Sequence, residues 1–276
     1  MSPDYQEVGI GATAELTLRV SVATLVRVLF SNPSDGELLL ALERKAALRE
    51  TAAGRALKVK CQPFGGAIRI LDLETLNSLL GNFHFDGERS RSEQDFRIFI
   101  RPSAWTVLRE FCLQHITLDN DPVIETDPTR ELVEEFADTL AISLKPDQYV
   151  YKPVTTIVEN KATPTANIHA RGIPTVRIYR IFEASILDRS LTQVMLMSDG
   201  LSHRDLYELS SADAANGGRG RTNAISALPW SRLADTYRAM SASARDIPIT
   251  FESNQLTPTV AALFDQIPIP RYQLVE

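Results

Sequence analysis

Residues 16–30 read LTLRVSVATLVRVLF, partly alternating and rich in β-branched side chains, which predicts one long strand or two joined strands. Asn32-Pro33-Ser34-Asp35-Gly36 is a turn, since proline fixes φ and glycine accepts positive φ. Residues 37–42 return as an apolar strand and close a hairpin. Residues 43–54, charged and alanine-rich, form either a short helix or an exposed loop. Residues 56–61 alternate as a strand, broken at Pro63-Phe64-Gly65-Gly66. The paired glycines there serve either a plain tight turn or a close backbone approach to a ligand.

Further along, residues 72–80 predict a short helix ended by Gly81, and residues 83–94, dense in charge, an exposed loop. A short strand over 96–100 precedes a helix capped by Ser103 and running to about His115, with Trp105, Leu108, Phe111 and Cys112 at packing spacing. In the second half, 148–158 and 175–186 are strand-like, 159–172 a loop and 192–197 another strand. Arg177, Tyr179 and Phe182 share no strict face, so a bulge or burial on two sides is expected. The glycine- and arginine-containing segment 215–221 lacks the lysine and following hydroxyl of a P-loop and reads as a mobile surface loop, with a phosphate contact by Arg219 and Arg221 as the alternative. Residues 230–244 and 257–264 predict the last helices.

The most informative periodicity lies in DPTRELVEEFADTL, residues 127–140. Asp127 suits an N-cap and Pro128 a first helical position. At about 100° per residue, Glu131, Glu134, Glu135 and Asp138 gather on one side, while Leu132, Val133, Phe136 and Leu140 form the stripe for burial. Like charges at these spacings repel. Either they are solvated near the positive end of the helix dipole, or a hard divalent cation such as Mg²⁺ draws them together.

The order of residues adds to this. RELVEEFA, residues 130–137, resembles the centre of the Nudix box, R-E-(apolar)-x-E-E-x-G, through Arg130, Glu131, Leu132, Glu134 and Glu135. Ala137 stands where the box has glycine, and Asp138 where it has an apolar residue. The family's upstream glutamate has no counterpart at the usual distance, Glu125 being too close to Arg130. The glycines that fit best, Gly65 and Gly66, lie far upstream. The resemblance implies an α/β fold: a Nudix-like α/β/α sandwich with a mixed central sheet, here one domain over 1–276, with residues 71–118 inserted between glycine turn and helix. Such an insertion would cover the site, form a homodimer surface, or do neither. The resemblance further implies a hydrolase that cleaves a diphosphate linkage in a nucleoside diphosphate derivative. Glu131, Glu134 and Glu135 would be both catalytic and ligands of Mg²⁺ (or Mn²⁺), Arg130 would orient a carboxylate, and Gly65 and Gly66 would shape the substrate site. The incomplete box equally suits a catalytically inactive nucleotide-binding or sensor module.

Bulk properties set the surroundings. In 276 residues, 44% hydrophobic and 23% charged content is ordinary for a globular protein, and the length suffices for a sizeable core. A net charge of −6 and a pI near 5.4 argue against general nucleic-acid or anionic-membrane binding. MSPDYQEVGIG has neither the basic start nor the apolar run of a secretory signal, so a cytoplasmic protein is expected. Cys61 and Cys112 form no metal spacing and read as small buried hydrophobes. His84, His115, His169 and His203 are scattered, and neither G-x-S-x-G nor G-x-G-x-x-G appears where it would signify.

Overall fold

The computed structural model describes residues 16–52, 54–165 and 170–230, with the short strand pieces Thr250–Phe251, Asn254–Gln255 and Gln273–Val275. The helices expected over 230–244 and 257–264 and His169 fall outside the described residues. Strand β1, Leu18–Ser31, is a single long strand buried along nearly its whole length, as its near-continuous apolar run requires. It pairs in parallel with β7, Pro174–Ile186, and antiparallel with β2, Leu38–Thr51, through the predicted turn. On the far side of β7 lies β6, Tyr149–Pro164, antiparallel to it. The sheet is therefore mixed, with helices packed against it. No helix among the described residues is long and apolar enough to cross a membrane.

Several local expectations are corrected. Residues 43–51 are neither helix nor loop but the continuation of β2. That strand leaves β1 and is held between β3, Gly54–Gln62, and β8, Arg221–Pro229. Its alternation is hidden by charge: Arg44 and Ala46 face one side, Glu43 and Lys45 the other. Burial of Glu43 and Arg44 then decides the conformation against local helix preference. The segment 83–94 is not an exposed loop. It holds β4, His84–Phe85, and a short helix α2, Glu88–Glu93. The Asp86 carboxylate there receives Arg19 from β1 at 2.6 Å and the Ser90 hydroxyl at 2.6 Å, a buried ion pair that charge density alone could not announce. The predicted loop at 159–172 begins late because β6 runs to Pro164 across a bulge. The strand predicted at 192–197 is part of helix α5, Arg189–Asp199, capped by Asp188. Helix α6, His203–Ala215, with its Ser202/Asp205 capping box, is a further element beyond those the sequence pattern predicts. Along β7 both faces are buried, and the bulge lies in β6 beside it.

Two apolar clusters occupy one face of the sheet. The first joins Val20, Val22, Val176 and Ile178 to helices α1, Leu73–Leu80, and α3, Trp105–His115. Both helices come from the segment 71–118, whose strand β5, Arg97–Ile100, also pairs with β1. The second cluster joins Val26, Val28 and Phe182 to helix α4, Thr129–Leu140, through Leu132 and Phe136. Phe136 is fully buried and stacks on Phe64, ring centroids 5.1 Å apart. Cys61 and Cys112 are buried free thiols. Replacing Phe136 by Ala should cost about 3–5 kcal/mol through lost transfer energy and a cavity. Chemical denaturation measures this, and a wild-type midpoint would mean the ring is not in the core.

Candidate functional site

Helix α4 begins at Thr129 with Pro128 in the cap position, one residue later than Asp127 and Pro128 suggest. The Asp127 carboxylate accepts the Thr129 N–H at 2.6 Å, while its other oxygen accepts the Tyr151 hydroxyl. The glycine turn approaches this helix from the sheet. Residues 64–68 run antiparallel beside the middle of β1, with Val26 N–H donating to Phe64 O and Thr24 N–H to Gly66 O, each at 2.9 Å. At Gly65 φ is +121°, and a Cβ would lie 2.1 Å from Thr24 O, so only glycine fits. At Gly66 the obstacle is Glu131 itself: a Cβ would stand 2.2 Å from its Oε2. Glycine turn and acidic helix, far apart in sequence, are in direct contact.

What closes the gap is the segment before the helix. Asp121, held by His115 at 2.7 Å, accepts the N–H groups of Val123 and Ile124. Ile124 then pairs with Ile70, and Glu125 N–H donates to Arg69 O at 2.9 Å. Glu125 is thus set opposite Arg130, whose Nε and Nη2 both reach it at 2.7 Å. The same guanidinium lies 2.6 Å from Glu131, 3.1 Å from Glu134 and 3.0 Å from Ala67 O. Sequence spacing set Glu125 aside; pairing between residues 69–71 and 123–125 restores it as the chief partner of Arg130.

The acidic face is divided rather than uniformly presented. Glu134 and Asp138 are exposed, and Glu134 sits between Arg130 and Arg69. Glu131, only 7% exposed, Glu135, half-buried, and Thr139, buried, form an inward line at i, i+4, i+8. That line meets Glu43 of β2, which is fully buried although the composition of its segment predicts helix or loop. Glu43 accepts Thr139 Oγ1 at 3.2 Å and Gln62 Nε2 at 2.7 Å, and pairs with Lys45 at 2.8 Å. Lys45 reaches Glu135 less closely, at 3.8 Å, and Glu135 Oε2 is buried without a hydrogen bond. Burial pushes the Glu131 carboxyl up from 4.5 to about 7 despite Arg130. Burial and the neighbouring Glu43 carboxyl drive Glu135 upward too. Among the described residues no three acidic, histidine or cysteine groups are already closed around a metal position.

The arrangement is a helix bearing R-E-L-V-E-E, seated on a glycine turn at the centre of a mixed sheet. The family model of the SMODS-associated NUDIX domain matches residues 17–224, most of the chain. The chain belongs to this family. No curated protein and no solved structure matches it. In this NUDIX protein the segment 215–221 is a pinned turn rather than a loose loop. Asp213 accepts the Arg221 N–H at 3.0 Å and its carbonyl the Gly218 N–H at 2.8 Å, while Gly220 O takes Leu48 N–H. Arg219 and Arg221 are exposed there.

Two outcomes follow from this geometry. Gly66→Ala should lower the melting temperature, and the loss should shrink in a Glu131→Ala background, where the colliding carboxylate is gone; a double-mutant cycle reads the coupling. Carboxyls raised above their unfolded value make the folded state bind more protons than the unfolded one. Stability from Glu131 and Glu135 is therefore complete below about pH 4.5 and declines as pH rises through 7. Denaturation midpoints from pH 5 to 8 should fall in the parent and fall less in Glu135→Gln.

Proposed function

We propose that this NUDIX protein is a divalent-cation-dependent hydrolase of a diphosphate linkage in a nucleoside diphosphate derivative. The observation that carries the reading is the buried Glu131–Glu135 line against Glu43. One of its oxygens has no hydrogen-bond partner, and its carboxyl groups are held against ionisation by burial. An all-oxygen donor set short of positive charge fits a hard cation such as Mg²⁺ or Mn²⁺. Glu131 and Glu135 would hold it, with Glu43 behind them and Glu134 at the exposed rim. The ion, when bound, supplies charge neutralisation at phosphate and a lowered pKa for water.

The chain's own groups do the rest. Arg130 holds Glu131 and Glu134 in place and ties them to Glu125. Gly66 leaves room for the Glu131 carboxylate and lets backbone, not side chain, border the reacting phosphates. Glu131, half ionised near neutral pH, can take a proton from attacking water where it is not engaged as a ligand.

One observation favours a second reading, a module that binds nucleotide without turnover. The Lys45 ammonium, 2.8 Å from Glu43 and 3.8 Å from Glu135, already supplies part of the charge a cation would bring. The two readings separate in one pair of measurements. For a hydrolase, Mg²⁺ raises the parent's melting temperature more than Na⁺ of equal ionic strength, Glu135→Gln loses that increment, and phosphate-containing products appear from a panel of nucleoside diphosphate derivatives. Equal responses to the two salts in both proteins, with no turnover, leave the binding module.

A further inference from the structure

The sheet face beneath α4 carries a polar strip that the acidic site does not use. Thr24, Arg180 and Thr156 lie side by side in register across β1, β7 and β6. Apolar residues flank them: Val22 and Ile178 belong to the cluster under α1 and α3, Val26 and Phe182 to the cluster under α4. The strip is thus the seam between the two clusters. It is also level with the glycine turn, because Thr24 N–H donates to Gly66 O. With neighbouring strands about 4.8 Å apart, the Arg180 backbone stands roughly 10 Å from Gly66, on the same face as α4.

Arg180 is a cation with little to answer it. Its Nη1 donates to Thr156 Oγ1 at 3.0 Å, and its Cζ lies 5.7 Å from the Phe182 ring centroid. Its Nε is buried without a partner, and among the described residues no carboxylate pairs with it. Other arginines of these strands are matched: Arg19 by Asp86, Arg177 by Glu159, Arg27 by Glu183. Burial lowers the Arg180 pKa, with Asp119 opposing through space. A half-buried guanidinium without a counter-ion carries a desolvation cost that an arriving anion offsets. The planar fork suits phosphate oxygens, and the side chain, half-buried rather than sealed, is within reach of solvent.

We propose that Arg180, with Thr156 beside it, is a binding residue for a phosphate group of the ligand, on the side of the glycine turn away from Glu131 and Glu135. This deepens the reading of a phosphate-bearing ligand and rests on it. It also gives the seam between α4 and the α1/α3 segment a ligand of stated chemistry.

Calorimetric titration of the full chain with inorganic pyrophosphate, at constant ionic strength and without divalent metal, tests the proposal. Saturable binding is expected in the parent, at least tenfold weaker binding in Arg180→Gln, an intermediate value in Arg180→Lys, and no change in Lys60→Gln, which removes an exposed cation of β3. Melting of unliganded Arg180→Gln should match or exceed the parent, because no ion pair is lost. Equal pyrophosphate binding by parent and Arg180→Gln, loss only in Lys60→Gln, or no binding by the parent overturns the proposal. So does a lowered melting temperature in both Arg180 variants, which assigns the residue to structure alone. Since the titration needs neither metal nor turnover, the hydrolase reading can fail while this one stands, and the reverse.

Discussion

The Arg130 guanidinium is the interaction on which the site depends. It spans three separate pieces of chain: the Glu125 carboxylate before the helix, Glu131 and Glu134 on the helix, and the Ala67 carbonyl after the glycine turn. Without that cation, Glu125 and the buried Glu131 would repel each other, partly desolvated, with Glu134 adding its charge from the exposed rim. With it, the turn and the helix are drawn to one point of the sheet. The long segment 71–118 can then leave and return without disturbing their contact. Charge, rather than chain proximity, assembles the motif.

The fold was legible where burial and local pattern agree. β1 and β7 declare themselves by β-branched residues, β3 by its alternation and α4 by its apolar stripe, because packing and local preference point the same way. Legibility ended where long-range pairing overrules local composition. Glu43, Arg44 and Lys45 look helical or solvated in sequence, yet β3 and β8 on either side make them a central strand. Asp86 and Arg19 lie far apart in the chain and only their meeting explains a buried charge in an apparently exposed loop.

The site was legible in the same measure. RELVEEFA marked the helix and Gly65-Gly66 the turn, since those identities are required locally: a left-handed φ at one glycine, a carboxylate against the other. Its inner wall was not. Glu43 and Lys45 come from a strand whose composition resembles helix or loop, and Glu125 stands at a spacing that counts residues rather than space. Arg180 carries no local signal at all. It is one of two arginines in β7, and only the register of β1, β7 and β6 shows that its neighbours are threonines while Arg177 has a carboxylate.

Strand β2 bears a further consequence. Glu43 faces α4, while the next residue, Arg44, points the other way and donates to the carbonyls of Ser198, Asp199 and Leu201 at the end of α5. A slip of one residue along β2 that carried Glu43 into the place of Arg44 would set a carboxylate against bare carbonyl oxygens and leave the apolar Leu42 between Gln62 and Thr139. In that direction the alignment of the strand is proofread by charge as well as by hydrophobic fit, and a residue of the acidic site also resists the chain folding one step out of place.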